Sequence, residues 1–180
     1  SATESLAQGF ALHVEQWLRR QGGCDAATLD TLRHAARSVS GATSDGHVCV
    51  ALTDVAASMA NAISVDALRS TLRGSGVVGT PAAPGSLPLI LDEQDRLYLH
   101  RYFNYEQRLA RRVMRAASAP PCAVSEVARA QLNALFEANA QRTDGAADWQ
   151  KIAAALALRQ HLAIISGGPG TGKTTTVVNL

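Results

Sequence analysis

Apolar residues recur at helical spacing in several stretches of the chain, and short apolar runs separate those stretches. Leu6, Phe10, Val14, Trp17 and Leu18 mark the inner side of a helix over residues 3–20, with Glu4, Gln8, Glu15 and Arg19 on the other side. Gly22 and Gly23 end it, and Asp25 is placed to cap a second helix whose face is Leu29, Leu32, Ala36 and Val39. Residues 41–46 read as a turn and 47–52 as a short strand. Two short helices follow over 54–61 and 64–73, the second capped by Ser64. Residues 74–88, rich in Gly, Pro and Ser, read as a long surface loop. Leu89-Ile90-Leu91, a polar turn at 92–95 and the run 96–100 predict a hairpin. A helix over 102–117 is stopped by Pro120 and Pro121. Another, over 124–140, turns Val127, Leu132, Leu135 and Phe136 inward. After a loop at 141–145 comes a helix over 148–158, and then the apolar run 161–166, which reads as a strand.

Composition narrows the picture only a little. At 180 residues the chain has room for one domain and the start of another. Hydrophobic residues make up 47% and aromatics only 4%, so Ala, Leu and Val must do the packing. The balance of 17 basic and 15 acidic residues makes no electrostatic case for nucleic acid, although a DNA motor need not be basic overall. Arg108, Arg111, Arg112 and Arg115 share one helix face, which suits DNA phosphates, an acidic partner or plain solvent. Cys24, Cys49 and Cys122 lack metal-ligand spacing and read as small buried hydrophobes in a reducing cytoplasm. With no apolar run near 18 residues and no signal-peptide pattern, a soluble cytoplasmic protein without membrane contact is expected.

The chemistry is concentrated near the end. Gly167-Gly168-Pro169-Gly170-Thr171-Gly172-Lys173-Thr174 satisfies the G-x-x-x-x-G-K-[ST] pattern, between the expected strand and a helix-compatible run that begins at Thr175. A strand feeding a glycine-rich turn and a helix start aims several backbone N–H groups at one point, which suits a phosphate. Lys173 is the catalytic candidate, reaching the β- and γ-phosphates of ATP, and the Thr174 hydroxyl is the Mg²⁺ ligand. The competing reading is a glycine-rich turn that binds nothing. Leu180 lies seven residues past Lys173, so the acidic Mg²⁺ residue, the water-orienting residue and the arginine finger of a complete motor would lie further on. The chain, which starts at Ser1, therefore reads as part of a longer protein. Gln150 opens the helix that leads to the loop, and its amide could serve the adenine edge or simply face solvent.

Two stretches carry a family resemblance: Trp149-Gln150-Lys151-Ile152-Ala153-Ala154-Ala155, and Ile164-Ile165-Ser166 running through the glycine loop to Thr174-Thr175-Thr176-Val177. They resemble the start of the motor in the RecD family, the alpha subunits of bacterial exodeoxyribonuclease V (the RecBCD helicase-nuclease). Gly46-His47-Val48-Cys49-Val50-Ala51-Leu52 and Asp95-Arg96-Leu97-Tyr98-Leu99-His100-Arg101 are similar to the N-terminal domain of that family, so the resemblance covers most of the chain. It implies a superfamily 1 DNA helicase moving 5′ to 3′, part of a heterotrimer with RecC-like and RecB-like subunits that processes single- and double-stranded DNA ends in repair and recombination. It makes Gln150 the adenine contact and extends the nucleotide site from Gly167 through Thr175. Nuclease cleavage would belong to the RecB-like subunit. The expected fold is α+β followed by α/β. A mostly helical N-terminal subunit-interaction domain with a β-hairpin occupies 1–140, and the truncated start of a RecA-like P-loop domain occupies 141–180. Taken alone, the 180 residues are expected to be catalytically inactive.

Overall fold

The computed structural model describes residues 2–140 and 146–178. It divides into two compact units, Ser1–Arg108 and Leu109–Leu180. Among the described residues no helix is long and apolar enough to cross a membrane.

The first unit is α+β. Its elements are α1 (Ala2–Arg20), α2 (Ala26–Ser44), β1 (Cys49–Ala51), α3 (Leu52–Ala57), α4 (Val65–Gly74), β2 (Val78–Gly79), β3 (Leu89–Leu91), β4 (Arg96–Leu99) and the first turns of α5 (His100–Ala117). The sheet order is β1-β4-β3-β2, with β4 antiparallel to both β1 and β3 and β2 parallel to β3. Leu97 stands opposite Val50 and Leu91, and Tyr98 opposite Cys49 and Ile90. Because side chains alternate along a strand, Leu89, Leu91 and Leu97 enter one core with α1–α4, whereas Ile90 and Tyr98 meet Phe103 of α5 on the other face. The Tyr98 and Phe103 rings pack edge to face, 5.5 Å between centroids.

The hairpin, the Asp25 cap and the Ser64 cap are as the sequence predicts. Asp25 accepts from Thr28 N at 2.9 Å and Ser64 from Ala67 N at 3.2 Å. Other expectations need correcting. Of the turn expected over 41–46 only Asp45 and Gly46 form one, because α2 continues to Ser44 and is capped at Asp45. There φ is 91°, and the N–H groups of Gly46 and His47 bond the carbonyls of Thr43 and Ala42. This left-handed close of a helix favours glycine, and Gly41 carries no such requirement. The loop expected over 74–88 contains β2, whose Val78 and Gly79 pair with Leu89 and Ile90, just after the buried Val77. A two-residue strand that ends on a glycine leaves no period to detect.

The buried face of α1 is also rotated from the expected one. It runs through Ala7, Ala11, Val14 and Leu18, with Leu6 64% exposed. Small residues face one another where the helices pack, Ala11 meeting the same core as Ala35 and Ala36 of α2. Glu15, expected on the solvated side, is 8% exposed. It takes Arg19 at 2.5 Å and Arg33 of α2 at 3.4 Å. A carboxylate removed from water needs such partners.

The second unit contains the rest of α5, then α6 (Glu126–Leu135), α7 (Glu137–Ala140), α8 (Trp149–Arg159) and α9 (Lys173–Val178). The single helix expected over 124–140 is broken at Phe136, so Leu132 and Phe136 are buried while Val127 and Leu135 stay exposed. Leu132 and Phe136 form a small core with Ala154, Ala155 and Leu158 of α8. The loop predicted at 141–145 lies outside the described residues. The strand predicted at 161–166 is absent: the segment is irregular, and Ile164 is 86% exposed. A strand has no ladder without a neighbour, and among the described residues none pairs with this one. Of the cysteines expected to be buried, Cys24 is exposed and Cys122 half-buried, while the half-buried Cys49 packs against Ile90, Tyr98 and Phe103.

His34 on α2 gives this fold a pH dependence. Its Nε2 lies 2.8 Å from Ser58 Oγ, which donates to the Val55 carbonyl. Burial, and then the neighbouring Arg37 charge, hold the imidazole below its ordinary value. The unfolded chain therefore takes up this proton first as pH falls. The contribution is complete above about pH 6.5 and is lost as pH drops through the folded value. His34→Gln should flatten the fall in urea midpoint between pH 7 and pH 5, measured against the unmodified protein; identical slopes would show that His34 has no part in it.

Candidate nucleotide-binding site

The loop 167–172 and the start of α9 lie against α8, and Gln150 supplies a hydrogen bond between them. Asp148 caps α8, accepting from the N–H groups of Gln150 and Lys151 at 3.1 Å each. That cap fixes the first turn, so Gln150 projects from a rigid helix end. Its Nε2 donates to the Thr171 carbonyl at 3.0 Å. Its Oε1 accepts from Asn139 Nδ2 at 3.1 Å.

The glycines allow this approach. Gly170 and Gly172 have φ of 75° and 73°, a region costly for other residues. A Cβ on Gly172 would overlap Gln150 Nε2, and one on Gly167 would come 2.9 Å from Thr171 Oγ1. Thr171 Oγ1 in turn donates to the Gly168 carbonyl at 2.9 Å. The Lys173 ammonium donates to the carbonyls of Gly167 and Gly168, both at 2.6 Å, and approaches Thr171 Oγ1 at 3.4 Å. Thr176 is 2% exposed, and its N–H and Oγ1 both bond the Gly172 carbonyl, closing the first turn of α9.

The structure thus brings Gln150, Gly167, Gly168, Thr171, Gly172 and Lys173 together, with Pro169 and Gly170 at the exposed tip of the loop. Thr174 and Thr175 are exposed at the start of α9. Asn139 and Asp148 were not legible as site residues. Asp148 has a local signal as a helix cap. Asn139 has none, because only the packing of α6 and α8 brings α7 to Gln150.

The donor set fits a nucleoside triphosphate with Mg²⁺. A Cβ at Gly167 or Gly172 would crowd the loop, one at Gly168 or Gly170 would meet only open space, and a flexible ammonium lies beside the backbone. Among the described residues no cluster of three His, Cys, Asp or Glu could hold a metal. Thr174 would then supply one protein ligand, with phosphate oxygens and water completing the shell, as is usual for Mg²⁺.

A second surface lies on the outer side of α8. Trp149, Ile152 and Leu156 are 75%, 40% and 51% exposed, and they line a groove with residues 162–166.

Comparison with known proteins gives this geometry a context. The chain is 37% identical to the RecBCD enzyme subunit RecD of Mycolicibacterium smegmatis over 140 residues, which is 75% of this chain and 22% of that protein. It is 36% identical to the subunit of the same name from Mycobacterium tuberculosis over 107 residues, 55% of this chain. With the RecD subunit of Haemophilus influenzae it shares 64% identity over 33 residues. Over this shared span, the chain belongs to the RecD family. It covers about a fifth of the length of the Mycolicibacterium RecD. No family model matches the chain.

Proposed function

We propose that the chain is part of an ATP-dependent, 5′ to 3′ DNA helicase subunit of a RecBCD-type repair and recombination complex, acting at double-strand DNA ends. The observation that carries the reading is the glycine loop, with Lys173 at its mouth and Gln150 at its back. The likeness to proteins named as RecD subunits of the RecBCD enzyme supports it. In this reading residues 141–180 begin a RecA-like P-loop domain, and residues 1–140 are a docking domain for RecC-like and RecB-like subunits.

Bound ATP supplies the phosphoryl group whose transfer to water drives translocation. The roles of the residues follow from their chemistry. The backbone of Gly167, Gly168, Pro169, Gly170, Thr171 and Gly172 surrounds the phosphates. Lys173 exchanges its two loop carbonyls for phosphate oxygens and stabilises charge in the transition state. Thr174 ligates Mg²⁺, and Thr175 lies at the edge of the site. Gln150 keeps hydrogen-bonding capacity for the base. An amide has two donors and two lone pairs, and one of each is engaged with Thr171 and Asn139. One N–H and one lone pair remain, the complement of the N6–H donor and N7 acceptor of adenine.

The interaction role of residues 1–140 rests on a different observation. The first unit, which makes up residues 1–108 of that stretch, has its own core and no cluster of metal-binding groups among its described residues, and the relatives carry the word subunit in their name.

Three outcomes test these proposals. Lys173→Ala in the full-length protein should lower ATPase and unwinding by at least about a hundredfold, the loss of a few kcal/mol of transition-state stabilisation; unchanged turnover would remove the loop as the working site. Gln150→Ala should weaken ATP about five- to tenfold more than GTP or CTP, in line with loss of a base-directed hydrogen-bond pair. Equal losses for all three nucleotides would show that Gln150 does not read the base. Deleting residues 1–108, the part of that stretch that forms the first compact unit, should abolish co-purification with RecC-like and RecB-like subunits whether or not ATP is present, and normal assembly would refute the docking role.

A further inference from the structure

We infer that the exposed side of α5 seats a partner protein that offers an apolar groove with an acidic wall. The groove covers Tyr105, Leu109 and Val113, and the wall meets Arg108, Arg111, Arg112 and Arg115. The inference rests on the docking role proposed above and names the surface that performs it.

α5 has little of the burial that holds a helix. Among the described residues Phe103 is its one buried side chain. Tyr105, Leu109 and Val113 are 52%, 63% and 41% exposed, and the four arginines are exposed with them. A helix of this kind is marginal in water without tertiary packing. Its charges add to the difficulty, with five arginines against one glutamate, Glu106. Arg108 lies one turn from Arg111 and Arg112, and both lie one turn from Arg115, so neighbours along the face repel. Among the described residues none of the four forms an ion pair. A helix face made for solvent commonly alternates its signs. This one lacks its negative half.

What supplies that negative charge is decided by the neighbouring line of side chains. At about 100° per residue, the four arginines span an arc of about 100°. Tyr105, Leu109 and Val113, at i, i+4 and i+8, run along the edge of that arc. α5 is continuous from His100 to Ala117, so both lines are properties of the helix itself. A row of phosphates would neutralise the arginines and leave the apolar line in water. A protein groove answers both lines at once, taking the apolar residues as anchors at helical spacing and the guanidinium groups on its carboxylates. Tyrosine and arginine are also the residue types enriched where proteins meet.

The test is assembly of the full-length protein with the RecC-like and RecB-like subunits, followed as a dissociation constant at low and at high salt. Arg111→Glu with Arg115→Glu should weaken assembly at least about tenfold at low salt and remove much of its salt dependence, as loss of paired interface charges does. Leu109→Gln with Val113→Gln should weaken it about tenfold at both salt levels, through loss of two apolar anchors. Glutamate and glutamine are good helix formers, so both double variants should keep α5 and an unchanged circular dichroism spectrum. Unchanged assembly in either double variant overturns the inference. So does a charge-reversed protein that assembles normally but loses affinity for a single-stranded oligonucleotide, which would make this face a nucleic-acid contact. Deleting residues 1–108 separates the two levels. If the deletion blocks assembly while both double variants assemble normally, the docking role stands and this surface falls. If the deletion leaves assembly normal, the docking role fails, and this inference fails with it because Tyr105 and Arg108 are then dispensable.

Discussion

An extended strand leaves its peptide groups without partners unless a neighbour supplies them, and this demand organises the first unit. β4 is served from both sides, by β1 and β3, and β3 is served by β4 and β2. Once the ladder is complete, alternation sends Leu89, Leu91 and Leu97 one way and Ile90 and Tyr98 the other. The helices then have two apolar surfaces to cover, α1–α4 on one and the start of α5 on the other. The same demand accounts for the irregular course of 161–166, whose side chains would suit a strand and whose backbone has no strand beside it.

Much of this was legible where the signal is local. Caps at Asp25 and Ser64 are one-residue signals with one physical cause, and the hairpin has apolar runs on both sides of a polar turn. What the sequence concealed depends on distant partners. β2 is too short to show a period and exists because β3 has a free edge. The burial of Glu15 depends on Arg33, which belongs to another helix. The inward turn of alanines on α1 reflects how closely α2 approaches, and spacing alone favours the larger Leu6. In the candidate site, the glycine loop and Lys173 could be read directly, while Asn139 could not, because nothing nearby in the chain marks it.

The site itself is built from two rigid helix starts and a loop with little side-chain bulk. Gln150 joins them, and its contact with Thr171 places the amide beside the loop backbone rather than out in solvent. Glycine at 172 and glutamine at 150 are thus one feature: the first provides the space that the second fills. This coupling explains how residues 22 positions apart in the chain come to act on the same ligand.

The hairpin tip carries more than a reversal of direction. Asp95 has φ of 57° without being glycine; its carbonyl accepts Leu52 N at 2.8 Å, and its carboxylate takes Arg69 of α4 through two bonds of 2.5 Å. Hydrogen bonds from Arg69 hold that carboxyl below the usual range. Three elements therefore meet on one residue: the start of α3, the body of α4 and the turn between β3 and β4. Hairpin tips are ordinarily where proteases cut and where inserted sequence is tolerated. This one is tied down, so cleavage or insertion there would release α4 and the start of α3 together.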